Sequence, residues 1–331
     1  MSYFTVLGYE NNEVLLWYQQ KYFQKLLKIF FIIALPPDLK KNFIELPIRE
    51  QITFLLYPDI SSLVQDIVLH QSEKSLLQLV KELERLIDAK QEISTIDYLK
   101  NIWGTHIQLT LDDNNPANSI VWHPDHDDTG MIGWGSKKKE DWEELFTKTL
   151  QILQEINEGY FYEINNFIKK IVPMKSSPHT NNSCSYKECI GTLYIGYTTD
   201  TQTPEINILE ALIHESSHNK LNLIMQTDAI HNNDFSLRYY SPYRPDARHI
   251  QWVFLWVHAI IPTVYILLEA LERGYIYDSM WKEKILLLHM KNKMWVNVIK
   301  KHAKLTQVWE TIFRDMCSVI RLCDAKIQQN S

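Results

Sequence analysis

Along most of this chain apolar residues recur every three to four positions, the period of a helix face, and they alternate in only a few short stretches. The helical period predicts helices over 11–33, 37–54, 60–69 and 72–86. The last carries leucines at 76, 77, 79, 83 and 86 behind Ser72, a residue type that caps helix starts. From 107 to 111 the pattern alternates, 112–116 reads as a turn and 119–122 as extended, which together predict a hairpin. A long amphipathic helix then runs from a cap at Asp141 to about Ile171. Thr192 to Tyr197 reads as a strand, and a helix opens at Pro204. After a loop rich in Asn, Tyr, Ser and Pro comes an apolar helix over 246–272, capped by Asp246, followed by helices over 279–300 and 304–327. The expected fold is mainly α (α+β), a helical bundle-like core with a small β element. A helical N-terminal region of 1–100 would precede a metal-binding catalytic region of 101–331, or the two would form one domain.

Composition narrows the classes. With 331 residues, 45% of them hydrophobic, and nine glycines, the chain can bury a sizeable helical core. A net charge of −6 leaves no basic footprint for nucleic acid. Cys184, Cys189, Cys317 and Cys323 show no CxxC or zinc-knuckle spacing and read as free thiols of a reducing cytosol. Met1 to Val14 lacks a basic secretory n-region, so the expected location is cytoplasmic. Ile250 to Leu268 is long enough to span a bilayer, with only Gln251 and His258 clearly polar. It lacks basic flanks on one side, so it reads as a core helix and no membrane is implied.

The chemistry concentrates in His214-Glu215-Ser216-Ser217-His218, an H-E-x-x-H pattern inside a predicted helix. Histidines four apart project from one helix face and can share a metal, and the intervening glutamate can reach a water or substrate beside it. Uncharged neighbours suit a buried metal helix, and Lys220 stands where such helices are usually apolar. Two histidines hold a metal loosely, so a third ligand is expected. No glutamate occurs between Ser216 and Leu268, which leaves His231, His249, His258, Asp228, Asp234, Asp246 and Glu269. On the helix of 246–272, Gln251, His258, Tyr265 and Glu269 fall within about 40° of one direction and form a polar stripe on a greasy helix. His249 faces the opposite side. The stripe offers His258 or Glu269 as the third ligand, with Gln251 and Tyr265 as supporting residues.

The order of strand, polar turn, Leu212-Ile-His-Glu-Ser-Ser-His218, a loop carrying Tyr240-Ser-Pro-Tyr-Arg-Pro-Asp-Ala-Arg248, and a helix with Val257-His258-Ala259 resembles the HExxH-motif peptide-modification proteins. These accompany ribosomally made, post-translationally modified peptides, and the resemblance covers about residues 180 to 270. It implies an iron(II)- and 2-oxoglutarate-dependent enzyme that β-hydroxylates a precursor peptide. His214, His218 and His258 would be the iron ligands, and Arg244 or Arg248 would bind the 2-oxoglutarate carboxylate. The residue types suit that chemistry: three neutral nitrogens on one face of iron leave positions for a 2-oxoacid and O₂, and a guanidinium forks a carboxylate.

Two other readings use the same residues. A zinc metallopeptidase would take Glu215 as general base and His258 or Glu269 as third ligand. A non-catalytic protein would use the metal as a staple. A further cluster, His123, Asp125, His126, Asp127 and Asp128 after Ser119-Ile-Val-Trp122, matches the H-x-D of cupin-type oxygenases. That fold needs about eight strands, which this chain does not supply, so the cluster reads as a polar turn.

Overall fold

The computed structural model describes residues 13–89, 102, 105–111, 132–133, 138–175, 183–197, 203–240 and 246–329. The N-terminal part is a run of short helices: α1 (Glu13–Ile32), α2 (Pro37–Ile44), α3 (Ile48–Leu56), α4 (Pro58–His70) and α5 (Glu73–Ala89). The single helix expected over 37–54 is two helices. Pro47 has no N–H to continue a helix and disfavours helical backbone at Leu46, so the chain breaks there. Ser72 caps as expected, its hydroxyl accepting from the Ser75 N–H at 3.2 Å.

The sheet is small and mixed. Its strands are β1 (Gln108–Leu109), β2 (Lys170–Lys175), β3 (Ser183–Cys184) and β4 (Thr192–Tyr197), in the order β1-β2-β4-β3. β2 pairs in parallel with both β1 and β4, and β3 is antiparallel to β4. β1 joins β2 in parallel, and the segment expected to pair with it in a hairpin, 119–122, lies outside the described residues. The long helix expected to reach Ile171 is likewise broken, into α6 (Lys139–Ile156) and α7 (Glu158–Phe167). Asn157 interrupts it because its side chain competes with the backbone, accepting from the Tyr160 N–H at 2.8 Å. Lys170 and Ile171, read as the helix end, belong to β2. Asp141 sits in the first turn of α6, where its carboxylate accepts from the Lys138 N–H at 2.9 Å.

Four long helices complete the chain: α8 (Pro204–Met225), α9 (Ile250–Glu272), α10 (Ser279–His302) and α11 (Gln307–Gln329). α9 begins four residues later than expected. Its cap is His249, whose ring accepts from the Gln251 N–H at 3.3 Å, while Asp246 is drawn away to Arg248. One continuous hydrophobic cluster joins Leu26 of α1, Leu150 of α6, Leu193 of β4, Leu212 of α8, Val257 of α9, Trp295 of α10 and Met316 of α11. Among the described residues α9 is the one helix long and apolar enough to cross a membrane by itself, and most of it is buried inside the protein. Packed on α8, α10 and α11, it is the core helix that its pattern suggested.

α8 lies against α9, α6, β4 and α1, so polar groups on it need internal partners. Asn219, fully buried, accepts from the Gly191 N–H at 2.7 Å and donates to the Thr192 carbonyl at 3.0 Å, which clips the start of β4 to the helix. Gly191 sits at φ +94°, a conformation that disfavours any side chain. Lys220 is paired with Glu163 of α7 at 2.7 Å, both side chains being 2% exposed. Burial alone would lower the pKa of Lys220, but the carboxylate of Glu163 outweighs it and raises the net value. The Tyr160 ring lies 4.9 Å from the same ammonium, and its hydroxyl meets Ser217 Oγ at 2.9 Å.

Removing one member of this pair strands the other charge. Glu163→Gln is expected to destabilise the fold by about 3 kcal/mol, whereas the double change Glu163→Leu, Lys220→Met should recover most of that loss. Urea unfolding of the single and double variants checks it; equal losses in both would refute the account.

Candidate metal centre

Between Ile206 and Ile224 of α8 nearly every residue is buried; those that keep solvent contact are Asn207, Glu210, His214 and His218. Their spacing of three, four and four places them on one helix face. The single open stripe of an otherwise enclosed helix thus consists of an amide, a carboxylate and two imidazoles.

The two imidazoles converge. His214 Nε2 and His218 Nε2 are 3.1 Å apart, with ring planes 85° to each other. At that separation either one ring donates to the other or both lone pairs point at a common cation. With metal–nitrogen bonds of about 2.1 Å, the pair would subtend roughly 95° at the metal, an angle that four- to six-coordinate ions accept. Burial, helped by the nearby charge of Lys284, pushes the pKa of His214 down to about 4. Burial, then His214 and His258, holds His218 well below its usual value. Both rings are therefore neutral at neutral pH, the form that binds metal. Trp256 of α9 roofs the pair, 5.5 Å from His214 and 6.3 Å from His218 between ring centroids.

His258 comes alongside through helix register. Gln251, at the start of α9, donates to Met225 Sδ at the end of α8 at 3.5 Å, so the helices run antiparallel. Seven residues along each, His258 stands opposite His218, fully buried and near enough for its charge to depress the His218 pKa. Among the described residues no three His, Cys, Asp or Glu side chains are already gathered as a metal cage. What is formed is the pair His214 and His218, with His258 beside it on the facing helix.

Glu215 points elsewhere. It is buried, and its Oε1 and Oε2 accept from Ser183 Oγ of β3 at 2.8 Å and from Ser185 Oγ, just after that strand, at 2.9 Å. Burial raises its pKa to about 7 against the lowering effect of the two serines. The other members of the α9 stripe follow the helix away from the histidines. Tyr265 and Glu269 lie about 10 and 16 Å beyond His258 along the axis. Glu269 pairs with Lys326 of α11 at 2.7 Å, and that ammonium also lies 5.6 Å from the Tyr265 ring. The stripe is polar because α11 presents a lysine to its end, not because all of it faces one site.

The remaining sequence candidates have partners of their own. The His231 and His249 rings meet tilted with centroids 4.8 Å apart, Asp234 accepts from Ser236, and Asp228 from Thr227. Arg248, partly exposed, is held by Asp246 at 2.7 Å. Arg244 and the cluster of His123, Asp125, His126, Asp127 and Asp128 lie outside the described residues. The four cysteines are free thiols.

Four participants escaped the sequence reading. Glu210 was legible, since it stands four residues before His214. It is bound to Lys284 of α10 at 2.5 Å, and that lysine lies 4.5 Å over the Trp281 ring. The two serines and Trp256 come from the chain at β3 and from α9, and no local pattern announces them. No protein-family model and no curated protein matches this chain.

Cobalt(II), whose visible spectrum reports coordination, tests the centre. His214→Ala and His218→Ala should each weaken binding on the order of 100-fold or more, and His258→Ala by at least about 10-fold. Glu215→Gln should leave the spectrum unchanged. Unaltered affinity in His258→Ala would move the third ligand elsewhere.

Proposed function

We propose that this chain is a metal-dependent peptide-modifying enzyme, an iron(II)- and 2-oxoglutarate-dependent hydroxylase acting on a ribosomally made precursor peptide in the cytoplasm. The observation that carries the reading is the open stripe of α8, with two neutral imidazoles whose nitrogens stand 3.1 Å apart. Among the described residues, that stripe is the open face along the middle of α8, where a substrate could approach.

His214, His218 and His258 would hold the ion, and iron with 2-oxoglutarate would supply the activation of O₂. The chain's own residues then bind and position. Trp256 walls the histidines on one side. Arg244 or Arg248 would take the co-substrate carboxylate; Arg248 would have to exchange Asp246 for it. Gln251, Tyr265 and Glu269 act through the placement of α9, anchored at Met225 and Lys326.

Glu215 favours the oxygenase over a zinc metallopeptidase. A general base needs a carboxylate oxygen on the attacking water, and here each oxygen accepts from a serine of the sheet edge. Its role in this reading is to lock α8 to β3 beside the ligands. The peptidase keeps one argument: a pKa raised to about 7 is what a general base at neutral pH requires. A third possibility, a binding protein stapled by its metal, predicts metal uptake with no turnover.

Anaerobic reconstitution with iron(II), followed by O₂ and 2-oxoglutarate, separates the three. The expected result is succinate release and a peptide heavier by one oxygen. Glu215→Gln should keep 2-oxoglutarate turnover within about 10-fold, because the carboxylate moves no proton in this reading, whereas a peptidase would lose on the order of 10²–10⁴. Arg244→Lys or Arg248→Lys should weaken 2-oxoglutarate binding and spare the metal. Peptide cleavage without O₂ or 2-oxoglutarate would overturn the assignment.

A further inference from the structure

α10 carries an outward face that the fold does not use. Met280 and Met290 are 71% and 63% exposed, and Leu286, Leu287 and Met294 are about half exposed. Positions 280, 287, 290 and 294 repeat at seven, three and four, so they form one apolar stripe along the helix. Isolated exposed apolar residues are ordinary, but a continuous stripe on one helix is an interaction surface.

Charge decides what it fits. In a chain of net charge −6, α10 carries Lys282, Lys284, Lys291, Lys293, Lys300 and Lys301 against the single acid Glu283. Lys284 is matched by Glu210 and Lys293 by Asp324, while Lys282, Lys300 and Lys301 stand exposed beside the stripe. The face is thus apolar along its middle, interrupted by Glu283 one turn from Met280 and Leu287, and basic at its edges. Its complement is an acidic segment with apolar residues at helical spacing.

Its position connects it to the histidines. Lys284 reaches Glu210 on the open stripe of α8, and Trp295 lies 6.3 Å from Trp256, the wall of the metal centre. Met280 and Leu287 lie one turn to either side of Lys284, so the apolar stripe runs along the rim of that site.

We propose that the outward face of α10 is a docking rail for an acidic, apolar-bearing segment of the substrate peptide, which delivers the neighbouring part of that peptide to the histidine pair. The inference rests on the peptide-modifying reading and names how its substrate is held. Three methionines suit the task, because their flexible thioethers repack around differing apolar anchors.

The probe is a fluorescein-labelled synthetic peptide of about 18 residues, leucines at i, i+3, i+4 and i+7 and glutamates between them, titrated by anisotropy against the metal-free full-length protein. Saturable micromolar binding that weakens with salt is expected. Leu287→Glu with Met290→Glu should weaken it at least 10-fold with no change in Tm, as should replacing the peptide's glutamates by lysines. Equal binding of the acidic and basic peptides, or an unaffected double variant, overturns the proposal. So does a wild-type dimer that the same substitutions dissolve, or sedimentation with phosphatidylserine vesicles without peptide binding. His214→Ala separates the two readings. Docking retained while metal is lost leaves the rail intact; metal retained in a protein that ignores the peptide removes the rail alone.

Discussion

The structure turns on the enclosure of α8. A helix packed against α9, α6, β4 and α1 can present polar side chains inward only where each finds a partner. Asn219 takes the start of β4, Glu215 takes two serines at β3, and Lys220 takes Glu163 of α7. Glu215 and Asn219, four residues apart, share the face turned to the sheet, and Lys220 lies on a different one. Rotating the helix by even one residue would break them together and drive charged groups into apolar surroundings, at several kcal/mol apiece. The one remaining face, with Asn207, Glu210, His214 and His218, is therefore held at a set angle to the rest of the molecule. That restraint sets where the two imidazoles face, and their spacing of four residues brings them together.

Burial also sets the charge state of the site. Removing water from His214 and His218 favours their neutral forms, and Lys284 adds to the effect at His214. Lys284 is compensated by Glu210, so the rim of the site is close to neutral while the ammonium still faces the ligand stripe. The same physics gives Glu215 a raised pKa, although its two oxygens are occupied by serine hydroxyls. With both oxygens taken by serine hydroxyls, the carboxylate braces α8 against the chain at β3.

α9 serves two ends. It supplies the apolar mass against which α8, α10 and α11 pack, and through antiparallel register it brings His258 opposite His218. Its length then carries Tyr265 and Glu269 to a different neighbour, Lys326 of α11. α10 links inside and outside in a similar way: Trp295 packs toward Trp256, while the methionine stripe faces solvent.

Local pattern alone determined the helical character, the strand at Thr192 to Tyr197, the burial of α9 and the pairing of His214 with His218, since each depends on contacts within one or two turns of the chain. It misjudged element ends at Pro47, Asn157 and His249, where a missing N–H or a capping side chain outweighs periodicity over one or two residues. Even Glu210, four residues ahead of the motif, was legible in principle. The destinations of the long-range groups were not. That Glu215 meets Ser183 and Ser185, that Lys220 is neutralised by Glu163, and that His258 of the α9 stripe stands beside His218 while Gln251 meets Met225 and Tyr265 and Glu269 meet Lys326 are matters of which helices touch and in what register. Partners tens of residues apart in sequence leave no trace in a local repeat, because only packing in three dimensions brings them within hydrogen-bond range.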